Sequence, residues 1–483
     1  MDAFRIEGGH RLSGRIAIDG SKNAALPMMA AALLADSPLT LRGVPDLSDT
    51  RNMARLLGEL GCEVDATAES DGTGRCASTA VATHGNGHDT LAVLHASPER
   101  TTQPQSQNTI TIRSVDPQAT HARYDVVRTM RASICVLGPM LAKRKQASVS
   151  MPGGCAFGAR PVDLHLRGLE ALGAKIELQG GDIIATTPRG GRLKGATVFL
   201  GGPFGSTVLG TANVMCAATL AEGTTIIESA ACEPEISDLA AMLNAMGARI
   251  SGAGSPRITI EGVEQLSGTY HTVIPDRIVG ATYAIATAMT NGEVILDDFP
   301  ADYLLGVTDL LQRVGVHVDP IDTPNDPKRC TVKVVCERRL KPVILTTQPY
   351  PGFPTDLQAQ MMSLLCLADG NSIITEKIFP ERFMHAAELT RMGANLFRQG
   401  PTVVVQGPQQ LIGAPVMASD LRGSASLVLA ALAASGETTV NRVYHLDRGY
   451  VRMDETLNAL GANIERFDAH EPASQPRMAV VQH

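Results

Sequence analysis

Six times along the chain an amphipathic segment ends in leucine, methionine or valine, followed at once by glycine and a lead into strand-forming sequence: at Gly61, Gly173, Gly247, Gly315, Gly393 and Gly461. Glycine just past the last apolar helical position enters the left-handed region without a Cβ penalty and so ends a helix. One such signal is a cap; six in the same context predict internal repeats. The intervals are 112, 74, 68, 78 and 68 residues, so one of them is oversized. Each unit also carries an earlier, more apolar segment: NAALPMMAAALLADSPLTL, RASICVLGPMLAKRKQASVSM, TANVMCAATLAEGTTIIES, GATYAIATAMTNGEVILDD, LQAQMMSLLCLADGNSIITEK and GSASLVLAALAASGETTVNRV. A helix that is apolar all round must be buried all round. The expected unit is strand, buried helix, strand, surface helix and further strand, an α/β architecture with sheets facing outward around buried helices.

At 483 residues the chain exceeds one ordinary core, and two or more domains are expected. The oversized interval is read as an insertion at 67–107, rich in threonine, serine, glycine and histidine and without periodicity, with LAVLH at 91–95 as a candidate added strand. The polar tail 468–483 is read as disordered. A net charge of -7 without lysine and arginine runs excludes nucleic acid and membrane surfaces as expected partners, with KRK at 143–145 read as a solvated helix end. The nine cysteines are scattered, with none at metal-ligand spacing, so reduced thiols and no metal are expected. The beginning, MDAFRIEGGHRLSG, has no basic segment before an apolar core, and the apolar stretches near 24–34 and 424–434 are shorter than a membrane span. A cytoplasmic location is expected.

The chemistry centres on Met151 to His165, MPGGCAFGARPVDLH. A strand breaks there into turn formers, Pro152, Gly153, Gly154 and Gly158, which expose Cys155 near solvent. Arg160 precedes Pro161, which suits a first helical position, and Val162, Leu166 and Leu169 then repeat at helical spacing. A helix N-terminus with an arginine attracts anions and favours thiolate in a nearby cysteine. A core cysteine beside a plain turn is the competing reading. Polar residues also stand at the starts of the buried helices: Lys22 and Asn23, Arg131, Asn213, Arg277, Asp356 and Arg422. Aimed into one cleft they would bind partners rich in phosphate and carboxylate; otherwise they mark solvated helix ends.

The stretch RTMRASICVLGPMLAKRKQASVSMPGGCAFGARPVDLHLRGLEALG, together with SKNAALPMMAAALLA, PDRIVGATY, PGFPTDLQAQ, ERFMHAAEL, SDLRGSASLVLA and YHLDRGY, resembles the UDP-N-acetylglucosamine 1-carboxyvinyltransferases, enolpyruvyl transferases that open peptidoglycan synthesis. The resemblance covers nearly the whole chain apart from the insertion and tail. It implies the EPSP synthase-like fold, an inside-out α/β barrel of two similar domains with three units each. One domain would take 22–273, the other 1–21 with 274–467, and the cleft between them would be the active site.

The family joins phosphoenolpyruvate to the 3-hydroxyl of UDP-N-acetylglucosamine by addition and elimination, releasing phosphate, with no metal or other cofactor. By that resemblance Cys155 is the acid that also forms a covalent adduct, and Asp356 is the carboxylate at the acceptor hydroxyl, although it also reads as a helix cap. Lys22, Arg160, Arg382, Arg422 and Arg448 match the cations for the donor, and Arg131 matches another arginine beside acceptor and donor. Asp420 orients Arg422, shuttles a proton or simply caps a helix. Arg160, Pro161, Val162, Asp163 and Leu164 match the uracil-holding segment, Asn23 the contact to the acceptor sugar, and Thr207 and Val208 the loop at the diphosphate. Departures are Leu209 in that loop where many relatives have glycine, Cys232 where many have arginine, and Gly423 where many have alanine. Leu209 leaves room for a sister enzyme with another uridine nucleotide, such as UMP, as acceptor. The shikimate 3-phosphate transferases lack the cysteine loop, and a non-catalytic paralogue would be expected to lose some of Lys22, Cys155, Asp356 and Arg448.

Overall fold

The computed structural model describes residues 2–68, 79–80, 108–152, 162–322, 326, 328–337 and 339–469. The six capping glycines all have positive φ: 73° at Gly61, 90° at Gly173, 108° at Gly247, 105° at Gly315, 92° at Gly393 and 101° at Gly461. Each ends a helix and turns the chain into a strand, as the repeat reading requires.

The strands form six sheets with one pairing rule. In each, a short strand runs parallel to its neighbour and the rest of the sheet continues antiparallel. One example is Thr197–Phe199, parallel to Thr224–Glu228, then Arg257–Glu261 and Arg249–Ser251. The sheets at the other end of the sequence follow suit and draw in the first residues. Asp2–Glu7 lies between Glu437–Asn441 and Asn463–Asp468, and Ser13–Ala17 lies beside Glu293–Phe299.

The apolar helices are buried on all sides because their sequence offers no polar face. They are Lys22–Ala31, the turn Arg131–Val136 leading into Leu137–Arg144, Val208–Ala218, Arg277–Met289, Gln358–Leu365 and Leu421–Ala433. Two apolar clusters result. One is drawn from Ala24 through Ile274, the other from Phe4, Ile6, Leu12 and Ile18 together with Ile278 through Ile464. The chain passes between them twice, and the two passages are stitched together: Ser21 N donates to Ile274 O at 2.7 Å and Asp276 N to Asp19 O at 2.8 Å. The approach admits no side chain at Gly20, where a Cβ would stand 1.8 Å from Gly43 O.

Several local expectations are corrected. The strand Cys62–Ala68 keeps its ladder with Asn108–Ser114 through Thr67↔Thr109 and Ala68↔Asn108, so Thr67 and Ala68 belong to the sheet and the excursion starts after them. A two-residue strand, Thr79–Ala80, returns to pair with Asp65 and Ala66, while LAVLH lies outside the described residues. The tail begins later too, because the last strand runs through Asp468; residues 470–483 lie outside the described residues. KRK is not simply solvated: Arg144 is half-buried and donates to the backbone oxygens of Leu60 (2.8 Å) and Ala119 and to Ser114 Oγ (3.1 Å).

Candidate active site

Lys22 opens its helix behind the N-cap Ser21, whose Oγ accepts from Ala24 N at 3.4 Å. A helix this apolar carries its first residue inward, and the ammonium is buried with Asp49 Oδ2 at 3.2 Å. The other oxygen of Asp49 accepts from Arg448 Nε at 3.0 Å. Burial pulls the Lys22 pKa below its ordinary value; Asp49 opposes this, while Arg422 and Arg448 add to it.

Asp356 sits in the single turn Thr355–Leu357 ahead of the helix Gln358–Leu365. It is not the cap: Pro354 and Leu357 hold the two N-cap positions, and the carboxylate faces cations instead. Arg382 Nη1 donates to Oδ1 at 2.7 Å, and Arg422 Nε and Nη2 donate to Oδ2 at 3.3 and 3.2 Å. Arg422 is 2% exposed, with its guanidinium carbon 5.4 Å from the centroid of the Tyr450 ring. Burial works against its charge, but Tyr450 and Asp356 outweigh that and raise its pKa. Gln360 locks the turn from beneath, donating to Asp356 O at 3.0 Å and to Tyr450 Oη at 3.2 Å. Of the three readings of Asp420, capping is realised: Oδ1 accepts from Arg422 N at 3.0 Å and Gly423 N at 3.1 Å, which also fixes where Arg422 leaves the helix.

Lys22 feels Arg422, Arg448 and Asp356 electrostatically, so these two groups are one neighbourhood. Four cations, Lys22, Arg382, Arg422 and Arg448, gather here, and two carboxylates, Asp49 and Asp356, bridge them. A cluster of partly desolvated cations suits a small polyanion.

The other sequence candidates divide. Arg131 opens its turn, and burial with the Arg131 charge holds the His165 pKa down to about 3, leaving a neutral ring. Asn213 is not in a first turn: it lies mid-helix, fully buried, accepting from Gly138 N (2.6 Å) and donating to Ile134 O (2.9 Å) and His165 Nδ1 (3.1 Å). It braces the core, with both amide hydrogens used. Arg277 is likewise committed, to Glu235 at 3.0 and 3.4 Å. Asn23 is half-buried beside Lys22. Thr207 caps the helix opened by Val208, its Oγ1 accepting from Gly210 N at 3.2 Å, so Leu209 stands in that helix rather than in a loop and packs half-buried against the core. The helix expected from Pro161 runs Asp163–Ala171 with Val162 at its N-cap; Val162 is buried, Asp163 exposed and Leu164 half-buried. Cys155, Arg160 and Pro161 lie outside the described residues. Sequence reasoning missed Asp49, because an acidic residue in the first turn of a surface helix reads as a partner for the helix dipole.

The EPSP synthase (3-phosphoshikimate 1-carboxyvinyltransferase) family model matches residues 6–86 and 86–457. A solved enolpyruvyl transferase, NikO from Streptomyces tendae, superposes with TM-score 0.78 at 25% identity, over 96% of this chain and 99% of that one. EPSP synthase from Acinetobacter baumannii superposes with TM-score 0.68 at 17% identity, over 97% and 100%, which speaks to the fold alone. Fold and site thus define the class, the EPSP synthase-like inside-out α/β barrels. Curated UDP-N-acetylglucosamine 1-carboxyvinyltransferases are far nearer in sequence. That of Akkermansia muciniphila is 46% identical over 97% of this chain and 99% of its own length, and that of Rhodospirillum centenum 48% over 96% and 99%. The chain belongs to the UDP-N-acetylglucosamine 1-carboxyvinyltransferase family. Among the described residues no helix is long and apolar enough to cross a membrane, and no cluster of histidine, cysteine and carboxylate could hold a metal ion.

Proposed function

We propose that the protein transfers the enolpyruvyl group of phosphoenolpyruvate to the 3-hydroxyl of UDP-N-acetylglucosamine in the cytoplasm, the first committed step of peptidoglycan synthesis. The observation that carries the reading is the Asp356 carboxylate gripped by Arg382 and Arg422 beside the Lys22–Asp49–Arg448 group. The active cleft lies between two domains, 22–273 and 1–21 with 274–467; the two apolar clusters support that division.

In the addition step Asp356 takes the proton of the acceptor hydroxyl as its oxygen bonds to C2 of the donor, and Cys155 delivers a proton to the methylene carbon C3. In the elimination step C3 gives back a proton, the C2–O bond to phosphate breaks and the enol ether forms. Lys22, Arg160, Arg382, Arg422 and Arg448 neutralise the donor's phosphate and carboxylate, and Arg131 adds charge where donor meets acceptor. Asp49 bridges Lys22 and Arg448, one carboxylate oxygen on each. Asn23 meets the acceptor sugar, the segment from Arg160 through Pro161, Val162 and Asp163 to Leu164 meets the uracil, and Thr207 and Val208 meet the diphosphate, where the helix N-terminus favours an anion. Asp420 acts through Arg422, whose backbone it holds.

The deciding assay follows phosphate release from phosphoenolpyruvate with UDP-N-acetylglucosamine, UMP and shikimate 3-phosphate as acceptors. Turnover with the first alone is expected; preference for either of the others would sink the assignment.

A further inference from the structure

Behind the Asp356–Arg382 contact stands a second carboxylate. Glu376 follows the strand Asn371–Thr375 and is 0% exposed. Four donors converge on it. Oε1 accepts from Thr347 Oγ1 at 2.8 Å, Ile378 N at 2.8 Å and Phe379 N at 2.9 Å, and Oε2 accepts from Thr355 Oγ1 at 2.9 Å.

These bonds have a direction. Glu376 Oε2 accepts from Thr355, so the Thr355 hydroxyl proton points at Glu376. The hydroxyl oxygen is then free to accept, and Arg382 Nη1 donates to it at 3.1 Å. The other hydrogen on that nitrogen goes to Asp356 Oδ1 at 2.7 Å. Arg382 Nη1 is thus held between a hydroxyl whose orientation Glu376 dictates and the carboxylate proposed as base. Thr347 repeats the arrangement, donating to Glu376 while accepting from Lys377 N at 2.9 Å, so the segment leading to Arg382 is tied to the same anchor.

We infer that Glu376, acting through Thr355, is a positioning residue for the transfer reaction: it fixes the guanidinium of Arg382 so that one edge holds Asp356 while the rest of the group faces the donor anion. The inference rests on the function proposed above for Asp356 and Arg382. Neither Glu376 nor Thr355 touches substrate in this scheme.

The test separates positioning from folding by a split in the kinetic constants. Thr355→Val removes the hydroxyl and keeps the shape. It is expected to lower kcat about 10- to 100-fold, the scale of a misplaced catalytic group, and to raise KM for phosphoenolpyruvate while KM for UDP-N-acetylglucosamine stays put. Thr355→Ser should restore most of both. Glu376→Gln presents an amide N–H to Thr355 and reverses the bond, so it should show the same split. Combined with Thr355→Val it should cost little more than either change alone, because both cut one path. A soluble Thr355→Val enzyme with wild-type kcat and donor KM overturns the inference. So does a pure loss of active protein with unchanged KM values, or insolubility of both Thr355→Val and Thr355→Ser, which would mark a structural residue. Failure here leaves wild-type turnover and its dependence on Asp356 intact, whereas a wild type that releases no phosphate removes the functional reading itself.

Discussion

Asp49 and Arg448 are 399 positions apart in sequence, yet Oδ1 of the one lies 3.0 Å from Nε of the other. Through this contact a buried carboxylate on a helix of the first apolar cluster holds a cation from the second, while its other oxygen holds Lys22. Charges that a polyanionic donor would recruit are thereby kept in place by an internal anion.

Asp49→Asn keeps the shape and removes that anion. Lys22 already has a pKa below its ordinary value through burial, with Asp49 as the main opposing influence. Its removal should drop the Lys22 pKa further. The folded state then binds fewer protons than the unfolded state from that lower pKa up to the ordinary lysine value of 10.5. Stability therefore rises with pH across that window, and the window starts lower in the variant. Activity that needs the ammonium should show a basic limb shifted to lower pH, alongside a loss of about 2 kcal/mol at neutral pH from the hydrogen bonds to charge. An unmoved limb in the pH–rate profile would separate Lys22 from Asp49.

Asp356→Asn should lower turnover about 10²- to 10⁴-fold, the usual contribution of a general base. The carboxylate also neutralises two buried arginines, so a melting temperature lower by several degrees is expected as well. Initial rates per folded enzyme, with scanning calorimetry on the same samples, distinguish the two effects. Full activity in the variant would leave Asp356 as a structural anion.

Fosfomycin, an epoxide bearing a phosphonate, resembles the donor, and a single covalent adduct is expected at Cys155, faster with UDP-N-acetylglucosamine present. The seven described cysteines are poor competitors. Burial pushes Cys62 up to about 11 and Cys135 and Cys366 to about 12, and also raises Cys216, Cys232, Cys330 and Cys336. A thiol held protonated is a weak nucleophile. Cys155→Ser should lose labelling and most activity; Cys155→Asp, still an acid, should keep activity and resist the drug. Peptide mapping that finds the adduct on any other cysteine refutes the assignment.

Because Ala68 pairs with Asn108 in an antiparallel ladder, residues 69–107 should be replaceable by a two-residue Asn-Gly turn. Soluble protein with nearly wild-type turnover is expected, since the cost of closing a connection between paired strands changes only slowly with its length. Soluble but inactive protein would assign the excursion to the active cleft.

What the sequence determined by itself is local in origin. Glycine at 61, 173, 247, 315, 393 and 461 must end a helix wherever the rest of the chain lies, and the uninterrupted apolar segments must be buried whatever packs on them. The repeat count, the strand–helix–strand unit and the helix-start positions of Lys22, Arg131, Arg277 and Arg422 follow from such signals. Only the tertiary structure decided which of these charges remain available to a ligand. Arg277 meets Glu235, Asn213 meets Gly138 and His165, Arg144 meets three partners across the sheets, and Asp49 and Glu376 turn inward to hold Arg448 and, through Thr355, Arg382. Periodicity tells which face of an element is buried, but a charge is satisfied by whatever folding brings beside it. Those partners lie tens to hundreds of residues away, where no local pattern reaches.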